Sequence, residues 1–372
     1  MNLSGTKPSL NILQVIAQST WGGGEQFVLD LSNGLVESGH RVSLVSRKSN
    51  IIQSKFSDFK NIYFLPILSM LDLFSIVRLG MIIKKESIDV VHVHTFKHAF
   101  IALFSCKLFR CRKAKVVLTR HLVKKAKIIS LYRWLYKKID CIVFVSYCSK
   151  KAFLSTDPYV SAEKLHVIHN SIHPMRLKNL RANIDQHGII EKGSIKLGFL
   201  GSVVPEKGVE ILIKAVGILN QQYPYVSLKI AGLVDESYQQ AIIEMIRQQG
   251  LEKNIELVGF CGDIVEFMNT VDIGVLPSLC QESFCLSVLE FMAAGKPIIT
   301  TNNGAQTEIV TDKYDGLLIE PNNPQAIVDA VGYLINNEEQ TGEIIKNAPK
   351  TVSEKFSYPL FLEKYTALFN TL

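Results

Sequence analysis

The chain has 372 residues, 47% of them hydrophobic and 20% charged, which describes an ordinary soluble globular protein long enough for two domains. Its net charge of +7 conceals an asymmetry, because residues 1–175 carry +15 and residues 176–372 carry −8. Seven cysteines without a C-x-x-C pair argue against a disulfide framework or a zinc site and for reduced thiols in a cytoplasmic protein.

The polar N-terminus shows no signal peptide and leads into an apolar strand over 10–17. Gly22-Gly23-Gly24-Glu25 follows, then a helix with Phe27, Val28, Leu31 and Leu35 on one face. Further strands are predicted over 41–45, 62–65, 90–94, 116–119, 141–145 and 165–169. The longest membrane-like run, 66–83, is interrupted by Asp72 and Arg78, so an amphipathic helix is expected there rather than a span. The pattern lapses into polar residues over 179–193, a predicted linker, and then restarts. Strands are predicted over 196–200, 227–231, 255–258, 273–276, 297–300 and 317–319, and helices over 209–220, 237–248, 285–294 and 325–334. A short helix is placed near Val265, and an amphipathic helix over 356–372 closes the chain. Strand–helix alternation of this kind predicts an α/β fold of two doubly wound parallel-sheet domains, with ligands at the carboxyl ends of the strands and in the gap between the domains.

The helix over 285–294 is apolar almost all round, yet carries Glu290, and Glu282 stands eight residues earlier. A carboxylate in such a helix needs a partner or takes up a proton. The paired hydroxyls of a nucleotide ribose would satisfy it, and so would a nearby lysine, arginine or backbone N–H. Gly201-Ser202-Val203-Val204-Pro205-Glu206-Lys207-Gly208 lies between a strand and a helix, where Lys207 can reach a diphosphate at the helix N-terminus. A solvated loop lysine is the alternative.

Neither glycine loop fits G-x-G-x-x-G or the P-loop pattern, and Ser46-Arg47-Lys48 stands where a ribose-binding acid would be, which disfavours a nicotinamide cofactor and excludes a P-loop ATPase. His92, His94, His98 and His121 lack carboxylates or cysteines at matching spacing, so no metal is expected. His121, at a strand's carboxyl end, is placed to donate a hydrogen bond to a ligand oxygen or phosphate. Residues 107–138 hold 12 basic residues and no acidic one, with Tyr132, Trp134 and Tyr136 among them. Without a nucleic-acid motif, this stretch suits an anionic membrane surface or glycolipid better than RNA or DNA, or is a solvated basic face.

Together these motifs resemble the GT-B glycosyltransferases of the large retaining GT4 family, over essentially the whole chain. The resemblance rests on Gly22-Gly23-Gly24-Glu25, His121, Pro205-Glu206-Lys207-Gly208, the Glu282…Glu290 pair, Gly295-Lys296-Pro297, Asn303-Gly304…Glu308 and Asp315-Gly316. It implies an N-terminal acceptor-side domain, 1–178, completed by a C-terminal helix, 354–372, and a nucleotide-sugar-binding domain, 179–353.

By position, the resemblance implies that Glu282, His121 and Lys207 serve catalysis. Glu290, Gly23, Ser202 and the backbone N–H groups of Phe284, Cys285 and Leu286 would hold the donor. Ser202 stands where many members carry an arginine, and Ser283 and Cys285 replace glycines. His94, Lys124, Lys125, Lys127 and Arg133 are candidate acceptor or membrane contacts. The implied activity is retaining transfer of a hexosyl group from a nucleotide-diphosphate sugar, a UDP-sugar by default, to a membrane-associated glycan, lipopolysaccharide or lipid-linked acceptor. It needs no cofactor, metal or nucleic acid and takes place at the cytoplasmic membrane face. A nucleotide-sugar epimerase and a non-catalytic nucleotide-sugar- or membrane-binding subunit are the alternatives.

Overall fold

A computed structural model describes residues 9–16, 21–176 and 193–372. Contacts divide the chain into one unit of Met1–Asn170 with Pro359–Leu372 and a second of Ser171–Tyr358. The predicted linker, and with it the 178/179 boundary, lies outside the described residues except for Gly193.

The first unit is a seven-stranded parallel sheet. Its strands are β1 (Asn11–Val15), β2 (Arg41–Ser46), β3 (Ile62–Phe64), β4 (Val90–Val93), β5 (Lys115–Arg120), β6 (Cys141–Phe144) and β7 (Leu165–Val167). They run in the order β3-β2-β1-β4-β5-β6-β7. The strands alternate with α1 (Gly23–Glu37), α2 (Asn50–Lys55), α3 (Leu73–Lys85), α4 (Phe96–Leu108), α5 (Ser130–Lys138) and α6 (Tyr147–Leu154). Short polar residues start several of these helices: Asp72, Thr95 and Ser146 accept from the backbone N–H of Ser75, His98 and Ser149, each satisfying a donor the helix leaves open.

The run over 66–83 is not one helix. Asp72 accepts from the N–H groups of both Leu68 and Ser75, so it closes a loop and caps α3 at Leu73.

The second unit has six parallel strands, β8 (Ile195–Leu200), β9 (Val226–Ala231), β10 (Ile255–Gly259), β11 (Ile273–Leu276), β12 (Ile298–Thr301) and β13 (Leu317–Ile319), in the order β10-β9-β8-β11-β12-β13. Its helices are α7 (Val209–Gln222), α8 (Glu236–Gln248), α9 (Ile264–Asn269), α10 (Leu286–Ala293), α11 (Gln306–Ile309), α12 (Pro324–Asn336) and α13 (Glu338–Lys355). The sequence reading missed α13, a mostly polar helix interrupted by Pro349, which forms by packing Ile344, Ala348 and Val352 inward rather than from its own propensity.

The last helix, α14 (Tyr358–Thr371), buries Phe361, Tyr365 and Phe369. Phe361 and Tyr365 pack edge-on against Phe27 of α1, and Phe369 against His92 of β4.

In each sheet the strand order reverses between two neighbours, β1 and β4 in the first unit and β8 and β11 in the second. Loops leaving those strands diverge and open a crevice at their carboxyl ends. The Gly22–Gly24 loop and His94 sit there in the first unit, and the Lys207 and Glu282 loops in the second.

Candidate active site

In the second unit, β8 leads through Gly201 and Ser202 into a 3-10 turn, Pro205–Lys207, then Gly208 and α7. Gly208 has φ +72, and a Cβ there would lie 2.1 Å from the carbonyl oxygen of Pro277, so only glycine lets this loop press against the one following β11. Lys207 Nζ then donates to Glu282 Oε1 at 2.5 Å, and Ser278 Oγ donates to the same oxygen at 2.6 Å. The Glu282 backbone is fixed from the other side. Its carbonyl accepts from Ala305 N–H at 2.9 Å, and a Cβ at Gly304, φ +87, would fall 2.5 Å from the Glu282 nitrogen. The Asn303-Gly304 motif therefore sets the position of Glu282.

Glu290 lies mid-helix on α10 and is buried. Of the two partners its sequence context allowed, the structure provides the cation: Arg176 Nη2 donates to Glu290 Oε1. The other terminal nitrogen of Arg176, Nη1, is buried and finds no hydrogen-bond partner among the described residues. Phe284 is buried edge-on to Phe356. Cys285 caps α10 with no side-chain hydrogen bond to the helix, and burial pushes its thiol up to about 12. Ser202 is exposed just past β8.

In the first unit, a cavity of about 520 Å³ is lined by Gly24, Glu25, His94, Arg120, His121 and the lysines of the loop after β5, among others. That loop is held in place. Arg120 Nη2 donates to the Lys124 carbonyl at 2.7 Å, the Tyr136 hydroxyl donates to the Lys127 carbonyl at 3.1 Å, and Thr156 donates to the Ala126 carbonyl at 2.9 Å. Lys124, Lys125 and Lys127 are thereby presented together at the cavity. Arg120 is buried against the faces of Phe96 and Phe153, 5.0 and 4.6 Å from the ring centres, and desolvation draws its pKa down to about 10. Glu25 is the one acid lining the cavity among the described residues. Burial raises its pKa, with backbone hydrogen bonds opposing.

His94 Nδ1 lies 3.1 Å from His121 Nε2, and His94 Nε2 lies 3.1 Å from Gln14 Oε1. His92 Nε2 lies 2.7 Å from Thr119 Oγ1, which lies 3.1 Å from the Tyr365 hydroxyl. Desolvation holds His92 at about 3 and His121 at about 4 and keeps His94 well below the ordinary histidine range. These rings are neutral at pH 7.

Of the sequence-predicted residues, the structure brings Lys207 and Glu282 together, and places His94, His121 and the three loop lysines around one cavity. Arg133 is not in that cavity; it is exposed on α5, 4.9 Å over the Tyr159 ring. Gly23 opens α1. Sequence reasoning missed Arg176, Arg120, Gln14 and Ser278. Only Arg120 carried a signal, as a basic residue closing a strand with an apolar centre, beside His121.

Comparison with known proteins adds to this geometry. Residues 181–351 match the model of glycosyl transferases group 1, and residues 21–176 match that of glycosyltransferase family 4. An uncharacterized glycosyltransferase of Methanocaldococcus jannaschii is 32% identical over 286 residues, 74% of each chain. An Escherichia coli UDP-Gal:alpha-D-GlcNAc-diphosphoundecaprenol alpha-1,3-galactosyltransferase is 23% identical, covering 88% of each. The crystal structure of Anabaena HepE in complex with UDP and glucose superposes with a TM-score of 0.82 at 19% identity, covering 98% of this chain and all of that one.

Proposed function

The chain belongs to the GT4-type glycosyltransferases of GT-B fold, and on that premise we propose that it transfers a hexosyl group from a nucleotide-diphosphate sugar, a UDP-sugar, to a membrane-associated glycan or lipid-linked acceptor with retention at the anomeric carbon. The observation that carries this reading is the seating of Lys207 against Glu282 at the β8/β11 reversal, held there by Gly208 and Gly304. An ammonium at that place meets the diphosphate, and a carboxylate beside it meets sugar hydroxyls. Glu290 on the following helix takes the ribose diol, displacing Arg176.

The leaving group is a diphosphate and already a stabilised anion, so catalysis asks mainly for positioning and charge stabilisation. The bond between the anomeric carbon and the phosphate oxygen breaks as the acceptor oxygen bonds to the same face. The acceptor proton passes to the departing phosphate. Lys207 and the α10 N-terminus, with the N–H groups of Cys285 and Leu286, receive the charge. HepE was solved with UDP and glucose, which supports a uridine donor here.

The acceptor reading rests on the first unit. Leu122, Ile128, Ile129 and Leu131 are exposed between Lys124, Lys125, Lys127 and Arg133, a mixture suited to an anionic lipid surface. Among the described residues no helix is long and apolar enough to cross a membrane. A peripheral place on the cytoplasmic face follows from this reading, and the galactosyltransferase relative is named for a diphosphoundecaprenol-linked substrate.

The test is release of nucleoside diphosphate across a panel of donors with and without lipid-linked acceptors. Acceptor-dependent release that Glu290→Gln weakens through the donor KM, and Lys207→Ala through kcat, supports the proposal. Unchanged kinetics in both variants sink it.

A further inference from the structure

Arg120 closes β5, lines the cavity of the first unit and is only 7% exposed. Nη2 donates to the Lys124 carbonyl, while Nη1 finds no hydrogen-bond partner among the described residues. The rings of Phe96, Phe144 and Phe153 surround the guanidinium at 5.0, 5.9 and 4.6 Å. Aromatic faces attract its charge, but they offer no oxygen to its N–H groups as a carboxylate or phosphate does. Burial draws its pKa down only to about 10, so the group is charged at pH 7.

A buried arginine is ordinarily met by an acid, because its lost hydration is otherwise uncompensated. Here the rest of the wall carries charge of the same sign. Lys124, Lys125 and Lys127 line the same cavity, on the loop that Arg120 itself helps to hold. Glu25, the acid there, has its carboxyl turned to the backbone N–H groups of Gly22 and its own residue. Four cations thus stand around a cavity of about 520 Å³ whose one carboxyl is engaged elsewhere. Such an arrangement is costly in the free chain and is offset by an anion that enters the cavity.

We propose that this cavity is an anion site, in which Arg120 and the lysine loop bind a phosphate or diphosphate group carried by the acceptor. The acceptor is then a phosphate-bearing glycan or lipid-linked sugar rather than a neutral glycan. Calling the ligand an acceptor rests on the glycosyltransferase reading above; the anion site does not. The division of labour follows from the side chains. The three lysines are exposed and draw the anion in as point charges. The planar guanidinium, weakly hydrated and buried, binds two phosphate oxygens with parallel N–H groups. Because Nη1 is shut off from water in the free chain, the ligand engages it as the guanidinium turns from the Lys124 carbonyl. A bilayer surface can meet the exposed lysines, whereas Arg120 is met only by a group that enters the cavity.

Calorimetric titration with inorganic pyrophosphate measures the site. The protein is first saturated with UDP to fill the donor site, and ionic strength is held constant. Wild-type protein should bind pyrophosphate, and Lys207→Met should leave that binding unchanged. Arg120→Met keeps an unbranched apolar stem between the rings and should weaken it by about 10-fold or more. The same variant should co-sediment with phosphatidylglycerol vesicles as the wild type does. If Arg120→Met does not fold, Arg120→Lys keeps the charge without the fork and should weaken pyrophosphate several-fold. In the transfer reaction, Arg120→Met should raise the KM of a phosphate-bearing acceptor and leave the donor KM unaltered.

Absence of pyrophosphate binding by the UDP-saturated wild type overturns the proposal. So does binding that Arg120→Met or Arg120→Lys leaves intact while replacement of the three lysines by serine removes it, since the anion then sits on the exposed loop. Parallel loss of vesicle binding in Arg120→Met also overturns it, because the residue would then serve a bilayer headgroup. Should transfer fail with every donor and acceptor while pyrophosphate binds as stated, the anion site stands and the glycosyltransferase reading of its ligand falls.

Discussion

The Arg176–Glu290 pair makes the sharpest prediction, because its two members differ in burial. The Glu290 side chain is 4% exposed and that of Arg176 is 23% exposed. Arg176→Ala strands a carboxylate inside an apolar helix with no cation, which costs about 3 kcal/mol of stability. Glu290→Gln leaves a guanidinium that can turn toward water, and its cost is about 1 kcal/mol. The double substitution has no stranded charge, so it should cost about 2 kcal/mol, a coupling of about 2 kcal/mol against additivity.

Both tryptophans, Trp21 and Trp134, lie in the first unit. Hydrogen exchange at α10, followed in urea, is therefore the local readout of this transition. The same logic gives a ligand effect of opposite sign. Arg176→Ala unmasks the carboxylate that the nucleotide is proposed to use, so UDP should raise the melting temperature of that variant by more than it raises that of the wild type. Equal stabilities of the two single variants, or strictly additive losses in the double, refute the reasoning.

The remaining predictions are brief. Lys207→Met should lower kcat roughly 100-fold, as loss of one charge-stabilising donor does, and steady-state release of nucleoside diphosphate checks it. Replacing Lys124, Lys125 and Lys127 together by serine should abolish low-salt co-sedimentation with vesicles rich in anionic lipid while leaving the melting temperature within a degree or two, since the three side chains are exposed; undiminished co-sedimentation removes the membrane reading of that loop.

Acid should destabilise the first unit through its buried histidines. Burial holds His92 and His98 at about 3 in the folded chain, below the unfolded value near 6.5, so the unfolded state binds more protons between those limits. Their stability is complete above about pH 6.5. It is lost as pH falls toward 3, at about 1.4 kcal/mol per pH unit for each. Melting at pH 7 and 5 should show a smaller acid loss in His92→Gln than in the wild type, and equal losses would contradict it.

Much of the fold was legible because the strands of a doubly wound sheet are buried on both faces. Runs such as 141–144 and 273–276 are apolar throughout and need no partner to be recognised. Errors occurred where a polar residue had two possible roles. Asp72 reads as an interruption in an amphipathic run, and only the distances to Leu68 and Ser75 reveal a cap. The helix Glu338–Lys355 has no strong apolar stripe and contains Pro349, so its existence depends on the surface it packs against, which no local window contains.

The site divides along the same line. Residue types at fixed spacing in one segment were readable: the Glu282…Glu290 pair, the glycines at 208 and 304, and the lysine between strand and helix can each be picked out within a short window of sequence. Partners chosen across the sequence were not. Glu290 is met by Arg176, 114 positions away, and His94 by Gln14, 80 positions away, and nothing in the residues adjoining either pair encodes the meeting. The consequence is chemical as well as geometric. A carboxylate read alone waits for any cation or diol, and in the unliganded chain a cation has taken it. On the proposed reading, donor recognition is an exchange of partners at sites already satisfied, with an affinity set by the difference between the two partners rather than by either one.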